Sequence, residues 1–269
     1  MKDIPMAISS DAPAFFKLDG DHGYVGYDPA RGPWSPDSCH AGPVTGAIAR
    51  SLERLVADKQ LIRLSVEILR PVPVEGFYVE ASLSKEGRMV TTATASITNG
   101  SGKLIATASS LHMAEQSLGD LPSHVESMPD IELAQPGDFP IKRTAHGLPS
   151  FSSGIEVLYP PGENDQPGPT SLWMRTLPLV EGEKPSAFQQ LCPLADCGNG
   201  IARNADATDL SFMNPDITIV MHRAPTSEWL GSIAHSHWQS TGIGLAQATL
   251  FDTEGAIGSA MQTLLLQKY

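Results

Sequence analysis

The spacing of apolar residues predicts one helix and four strands in the first part of the chain. Between positions 44 and 56 apolar residues recur every three or four positions, as on one face of an amphipathic helix. Between positions 62 and 68 apolar and polar residues alternate strictly, which is typical of a half-buried strand. Three more strand-like runs follow, at Phe77–Ser84, Met89–Ile97 and Leu104–Met113. This order predicts an antiparallel meander that forms a curved sheet wrapped on the helix.

The pattern breaks between residues 116 and 150. Five prolines occur there, with short polar runs between them. Because proline lacks the backbone N–H and interrupts regular structure, we predict a linker over residues 116–150. It separates an N-terminal unit, residues 1–115, from a C-terminal unit, residues 151–269.

The C-terminal unit repeats short strings of the N-terminal one. Arg223, in a strand-like string that ends at a proline, follows the similarly placed Arg70 by 153 residues. Gly255 follows Gly102, which precedes another strand-like run, by the same 153 residues. Two landmarks with one offset indicate an internal duplication. We expect the two sheets to pair edge to edge, since a lone curved sheet exposes a strand edge. Two independent domains on a flexible tether remain the alternative.

Composition excludes several classes of protein. The net charge of −12 disfavours nucleic acid as a partner, although a few arginines can still form a local phosphate pocket. No apolar run approaches the roughly 18 to 20 residues that cross a membrane, and Met1–Pro5 starts no secretory signal core. The three cysteines form no C-x-x-C pair and predict neither a disulfide framework nor a zinc site. We therefore expect a cytoplasmic protein with no membrane partner.

Several strings, taken in order, resemble one protein family. They are His40–Pro43, Leu69–Pro73, Pro193–Asp196, Asn214–Asp216, His222–Pro225, Glu228–Leu230 and Met261–Gln262. The first leads into the predicted helix, and Pro193–Asp196 is predicted to open its counterpart in the second half. Together they resemble the acyl-CoA thioesterase II family and the wider thioesterase-like group, over about Gly20 to Gln267.

The resemblance implies a fold and an activity. The fold is α+β, a double hotdog, with two tandem hotdog units that each wrap an antiparallel sheet on a central helix. The activity is hydrolysis of an acyl-CoA to free acid and coenzyme A, in fatty acid metabolism, without a metal or a bound cofactor. Because hotdog sheets commonly associate, we also expect a homo-oligomer.

The resemblance also implies the catalytic residues. In the family, an aspartate, a hydroxyl residue and a glutamine of the second hotdog activate a water molecule. By position these fall on Asp196, Asn214 and Gln262. Asn214 departs from the expected Thr or Ser. An amide can hold a water as donor and acceptor, but it cannot act as the same hydroxyl relay.

The residues themselves allow two interpretations each. Gln262 is the one large polar group on an apolar strand face, and a buried amide without partners costs about 1 to 3 kcal/mol. It either belongs to a site or bonds to nearby backbone. Asp196 is either a general base or the N-cap of a short helix.

Four further residues are candidates for substrate binding. The His40-Ala41-Gly42 turn precedes a helix, where backbone N–H groups can stabilise a developing oxyanion, and this makes His40 and Gly42 candidates. Arg70 and Arg223 each end a strand and are candidates for the phosphates of coenzyme A. A structural ion pair is the alternative for both arginines.

Other chemistries have weaker support. The chain lacks a Gly-x-Ser-x-Gly nucleophile, Cys197 has no neighbouring histidine, and His235 with His237 has no evident third metal ligand. A hotdog-fold enoyl-CoA hydratase-like lyase remains a rival, but Asp196 has no evident histidine partner in the helix of the second half. A non-catalytic acyl-CoA-binding module is the other rival, because Asn214 departs from the family pattern.

Overall fold

The computed structural model describes residues 8–122, 124–141 and 146–268. Met1–Pro5, which the sequence analysis examined for a signal, lies outside these residues. Over the described ranges, none of the helices combines the length and the apolar character that crossing a membrane requires.

The first half contains the predicted helix and meander. Its elements are β1 (Phe16–Asp19), β2 (Gly23–Gly26), α1 (Ala41–Leu55), β3 (Gln60–Ile68), β4 (Phe77–Lys85), β5 (Val90–Asn99) and β6 (Leu104–Met113). The predicted helix and all four predicted strands are confirmed. The apolar stripe of α1 is buried, and Ile48 and Leu52 are fully inaccessible. The recurrence of apolar residues every three or four positions therefore reflects the packing of one helix face against the sheet.

The second half has the same order of elements, with a divided helix and two additional strands, β7 and β10. Its elements are β7 (Gln135–Gly137), β8 (Ile155–Tyr159), β9 (Thr170–Thr176), α2 (Ala187–Ala195), α3 (Gly198–Ile201), β10 (Leu210–Met213), β11 (Asp216–Met221), β12 (Leu230–Trp238), β13 (Ile243–Asp252) and β14 (Gly255–Lys268). The range predicted as a linker, 116–150, includes β7 and a short 3-10 helix at Ile131–Leu133. The boundaries of the two units stay a prediction.

One antiparallel sheet runs through both halves. The strand order is β1-β2-β4-β5-β6-β3-β11-β14-β13-β12-β9-β8-β7, and β10 pairs with the end of β14. The central pair β3 and β11 joins the halves, which confirms the predicted edge-to-edge pairing. At its middle Thr218 faces Ser65, 153 positions earlier, and their hydroxyls are 3.0 Å apart. The duplicated strands are therefore related by a local two-fold axis near this pair.

The helices of the two halves are separated by a different number of residues from the strands. The span from the start of α2 to the end of α3, residues 187–201, is as long as α1 but begins 146 residues after it. Pro193–Asp196 therefore does not open the second helix, as predicted, but ends its first segment. The helix starts earlier because the Ser186 hydroxyl caps it, accepting from the Gln189 N–H. The second half has extra residues between its helix and β11.

The two helices pack against each other inside the sheet. A single apolar core includes side chains from α1, α2 and both halves of the sheet. Gly42 allows the closest approach, because a Cβ there would lie 2.9 Å from Pro193 Cα. This contact brings the start of α1 beside the break between α2 and α3.

Candidate active site

A cavity of about 560 Å³ opens where the two halves meet. One side is formed by the loop before α1, the first turns of α1 and the end of β3. The other side is formed by the break between α2 and α3, by the end of β10 and by the segment around Phe151. Residues that form its walls include Trp34, His40, Thr45, Arg70, Phe139, Phe151, Asp196, Asn199, Phe212 and Asn214.

Asp196 is the buried carboxylate of this cavity. Its side chain is 3% exposed, and it caps the C-terminus of α2. Its Oδ1 accepts hydrogen bonds from Asn214 Nδ2 at 2.8 Å and from Gln262 Nε2 at 2.9 Å. The three side chains predicted to act together are therefore in direct contact. Asp196 does not have the alternative role of N-cap, because Cys197 occupies that position in α3.

Both amides use all their N–H donors to hold this part of the chain. Gln262 Nε2 also donates to the backbone oxygen of Asp196, and its Oε1 accepts from the Asn199 N–H at 3.1 Å. Asn214 Nδ2 also donates to the Asp216 carbonyl, and its Oδ1 accepts from Asn199 Nδ2. Gln262 is 1% exposed, so these partners remove the cost of burying its amide.

The other carboxylate oxygen faces a histidine from the first half. His40 Nδ1 lies 3.0 Å from Asp196 Oδ2, and the His40 ring stacks on Phe151 with centroids 4.0 Å apart. The helix of the second half contains no histidine, as the sequence indicated. The partner of Asp196 comes instead from the turn before α1, where the sequence analysis did not look for one.

His40 Nδ1 has two competing neighbours. The Gly42 N–H points at it from 3.2 Å, and Asp196 Oδ2 is closer. A ring nitrogen either carries a proton or accepts one, so the two contacts exclude each other. A bond to an ionised carboxylate contributes about 1.5 to 3 kcal/mol and a neutral one about 1 kcal/mol. With Asp196 ionised, the favoured tautomer therefore carries its proton on Nδ1 and leaves Nε2 with a lone pair.

Gly42, a candidate for substrate binding, lies where two helices pack together. It is buried, and it is not part of the cavity wall. A Cβ on Gly42 would approach the backbone of Pro193 and would lie 3.2 Å from Asp196 Cβ. Glycine at this position thus lets α1 bring His40 up to the carboxylate.

The two candidate arginines have different positions. Arg70 is exposed at the cavity, donates to the Leu104 carbonyl at 2.8 Å and forms no ion pair with any described residue. Arg223 lies outside the cavity wall, and its guanidinium forms two hydrogen bonds to Asp252, at 2.6 and 2.8 Å. Asp252 is fully buried, and its pKa is held below its ordinary value by these bonds against the effect of burial. The geometry favours the alternative of an ion pair for Arg223.

Cys197 is buried beside the site but is poorly suited to be a nucleophile. Its thiol donates to the Pro193 carbonyl, and burial raises its pKa well above the ordinary value of a thiol. The reactive thiolate is therefore disfavoured. His235 and His237 are exposed on β12 and are not among the residues of the cavity wall.

Asn199 is the residue at this site that the sequence analysis missed. Its backbone N–H and side chain link Gln262 to Asn214, and its Oδ1 accepts from the Gly200 N–H. It lies in α3, three residues after Asp196. The Gly-Asn-Gly string is typical of a turn, whereas it lies within helix α3, so the string gives no signal for a site residue.

Comparison with protein-family models matches both halves of the chain. The model of the acyl-CoA thioesterase C-terminal domain matches residues 122–266, and that of the acyl-CoA thioesterase N-terminal domain matches residues 30–113. No curated protein matches the sequence.

Solved structures with the same fold extend over nearly the whole chain. A candidate thioesterase from Novosphingobium aromaticivorans has a TM-score of 0.76 at 18% identity, with 94% of this chain and 98% of that chain covered. A hot dog fold protein of unknown function from Alicyclobacillus acidocaldarius has a TM-score of 0.70 at 16% identity, with 98% of this chain and 99% of that chain covered. An acyl-CoA thioesterase II from Mycobacterium marinum has a TM-score of 0.66 at 19% identity, with 97% of this chain and 96% of that chain covered. The predicted double-hotdog fold is confirmed.

Proposed function

The chain belongs to the acyl-CoA thioesterase family, whose members are thioester hydrolases, and on this premise we propose that it hydrolyses acyl-CoA with a water molecule activated at Asp196. The observation that carries the proposal is the buried carboxylate at the cavity wall. Its Oδ1 is fixed by two amides, while its Oδ2 faces His40. A carboxylate with one oxygen held by amide N–H groups and the other paired with an imidazole N–H can support general base catalysis.

The reaction requires one water and no other reactant. The Asp196 site takes a proton from the water, and the resulting hydroxide attacks the carbonyl carbon of the thioester. The tetrahedral intermediate then breaks its carbon–sulfur bond. The departing thiolate recovers the proton as the coenzyme A thiol, and the acyl group leaves as the acid.

Gln262 and Asn214 are positioning residues in this proposal. Their N–H groups are occupied by Asp196 and by backbone carbonyls, so they act on water through the carboxylate that they orient. This positioning role also explains how Asn214 can stand where the family has a hydroxyl residue. To orient Asp196, the residue at this position only has to donate a hydrogen bond to Oδ1, and it does not have to relay a proton.

The walls of the cavity fit the two parts of an acyl-CoA. Aromatic side chains form its apolar part, where an acyl group can be buried: Trp34 and Phe212 on one side and Phe139 and Phe151 on the other. Arg70 is exposed at the same cavity and offers free N–H donors to a phosphate. The phosphate-bearing part of coenzyme A is therefore assigned to the Arg70 side.

Thiol release from a panel of acyl-CoAs tests the proposal. The panel includes short, long and aromatic acyl groups and is run with Asp196→Asn and Gln262→Ala. We expect turnover by the native protein, a loss of at least about 10²-fold in Asp196→Asn, and a smaller loss in Gln262→Ala. Ser232→Ala, a buried hydroxyl outside the cavity, is the control and should retain full activity. Absence of thiol release from every substrate would refute hydrolysis.

The His40–Asp196 contact also keeps a lyase in consideration, since hydration of an enoyl-CoA needs an aspartate and a histidine together. The same panel separates the reactions. A lyase would lower the absorbance of crotonyl-CoA without releasing thiol. A binding module would produce neither signal but would still bind the ligand. The family match favours hydrolysis.

The proposal includes a cytoplasmic role in fatty acid metabolism and self-association. The three cysteines are unpaired, as expected in a reducing compartment. Exposed apolar side chains on the outer face of the sheet, Val220, Ile243 and Met261, support association of copies. Sedimentation analysis over a range of concentrations would detect it, and a monomer at all of them would exclude it.

A further inference from the structure

We infer that His40 is the group that contacts the attacking water, and that Asp196 activates this water through the imidazole. The inference rests on the proposed hydrolysis and assigns the proton acceptor in it. Its basis is the placement of His40: the ring is part of the cavity wall, and its Nδ1 is 3.0 Å from the carboxylate.

The first step of the argument is the orientation of the ring. Stacking on Phe151 fixes the plane of the imidazole, and the contact with Asp196 Oδ2 fixes its rotation within that plane. Nδ1 is therefore directed at the carboxylate. Nε2, on the other side of the ring, has no hydrogen-bond partner among the described residues. It is the atom that remains for a ligand in the cavity.

The second step is the state of the carboxylate. Asp196 Oδ1 already accepts two N–H bonds, and its Oδ2 accepts the third, from His40 Nδ1. With its side chain only 3% exposed, Asp196 has little access for a water molecule. His40 is more accessible, with 12% of its side chain exposed. Water in the cavity thus meets the imidazole before the carboxylate.

The proton movement balances without another reactant. Nε2 accepts a proton from water as the oxygen attacks the thioester carbon. The imidazolium formed is stabilised by Asp196 through the Nδ1–H bond. When the carbon–sulfur bond breaks, Nε2 returns its proton to the thiolate, and the neutral ring is restored. The second half contributes the carboxylate and the first half contributes the base.

His40→Asn separates this role from a structural one. Asparagine is a good N-cap for α1 and places an N–H donor where Nδ1 lies, but it has no atom equivalent to Nε2. We expect a kcat lower by about 10² to 10⁴-fold with KM within about threefold of native. The circular dichroism spectrum and melting temperature should be preserved. His235→Asn, an exposed histidine on β12, should have native kinetics.

Chemical rescue provides a second measurement that does not depend on a folded His40→Asn. In His40→Ala, added imidazole is expected to raise kcat at least tenfold with saturation, and the same addition to Asp196→Ala should have no effect. The inference is overturned if His40→Asn retains a kcat within threefold of native, or if imidazole fails to rescue an His40→Ala protein that still binds coenzyme A. If Asp196→Asn loses activity while His40→Asn does not, hydrolysis stands and the base is the carboxylate. If the native protein releases no thiol, the proposed function fails, and this inference fails with it.

Discussion

At the scale of single residues, Arg70 and Arg223 occupy equivalent places in the two halves but have different surroundings. The backbone N–H of each donates to an isoleucine carbonyl of the neighbouring strand, Ile105 or Ile257. Arg223 is neutralised by the buried Asp252, whereas Arg70 is exposed at the cavity. Of these two arginines, Arg70 is therefore the one that can bind substrate charge.

We predict that Arg70→Ala raises KM for acyl-CoA about tenfold and leaves kcat unchanged. The loss corresponds to about 1.4 kcal/mol for an exposed contact between a guanidinium and a phosphate. The N-acetylcysteamine thioester of the same acyl group, which has no phosphate, should show no change. Arg63→Ala removes an exposed arginine of β3, the strand that precedes Arg70, outside the cavity, and it serves as the control. An equal effect on both thioesters would contradict the assignment.

At the scale of elements, the position of the site depends on the close approach of two helices. Gly42 in α1 meets the backbone of Pro193 in α2, next to Asp196. Because the obstacle to a larger residue is backbone, the helices must separate to admit even a methyl group. A small separation there also moves His40 away from the carboxylate.

Gly42→Ala is therefore expected to affect both stability and catalysis. Overpacking at such a contact costs about 1 to 3 kcal/mol of the free energy of unfolding. Displacement of a catalytic group by about 1 Å can lower kcat by about 10²-fold. Urea denaturation and thiol release measure the two effects. Gly100→Ala, in a turn where a Cβ would meet no atom within 4 Å, should be nearly neutral in both.

The sequence predicted the elements whose side chains face one core. The alternation in β3 and the stripe of α1 both reflect burial on a single face, which the pattern records directly. The start of α2 was predicted at Pro193–Asp196, from the resemblance, although Ser186 and Gln189 have the spacing of a capping box that marks its true start.

The sequence predicted only part of the candidate site, because a local pattern does not record contacts between distant segments. The resemblance brought Asp196, Asn214 and Gln262 together, but no local pattern connects them with His40. That contact depends on how α1 and α2 pack, and a duplicated chain contains many pairs of segments that could meet. The helix packing selects one of them.

At the scale of the whole molecule, an ion pair also joins the two halves. Arg50 of α1 is 3% exposed and forms two hydrogen bonds to Glu183, in the segment before α2. Arg50 is the tenth residue of α1, and Asp196 is the tenth of the matching span 187–201. The place of Asp196, the proposed catalytic carboxylate, is thus taken in the first half by a structural cation.

This pair is expected to make stability depend on pH. The Arg50 guanidinium lowers the pKa of Glu183 below its ordinary value. A carboxyl whose pKa is lowered by folding stabilises the protein above its unfolded pKa, near 4.3, and loses that contribution as the pH falls. Urea denaturation at pH 7, 4 and 3 should show a smaller decline for Glu183→Gln than for the native protein. Glu181→Gln, two residues earlier in the same segment, is the control. Parallel curves for native protein and Glu183→Gln would contradict the prediction.

The pairing of β3 with β11 has a consequence for how such a protein can evolve. In a dimer of identical chains, every substitution enters both copies of a site and must be tolerated in both. Joining the two copies in one reading frame removes that constraint, so one position could become Arg50 while its counterpart stayed Asp196. Mutations in the first half can then alter which substrates are accepted, and the inherited carboxylate is left untouched.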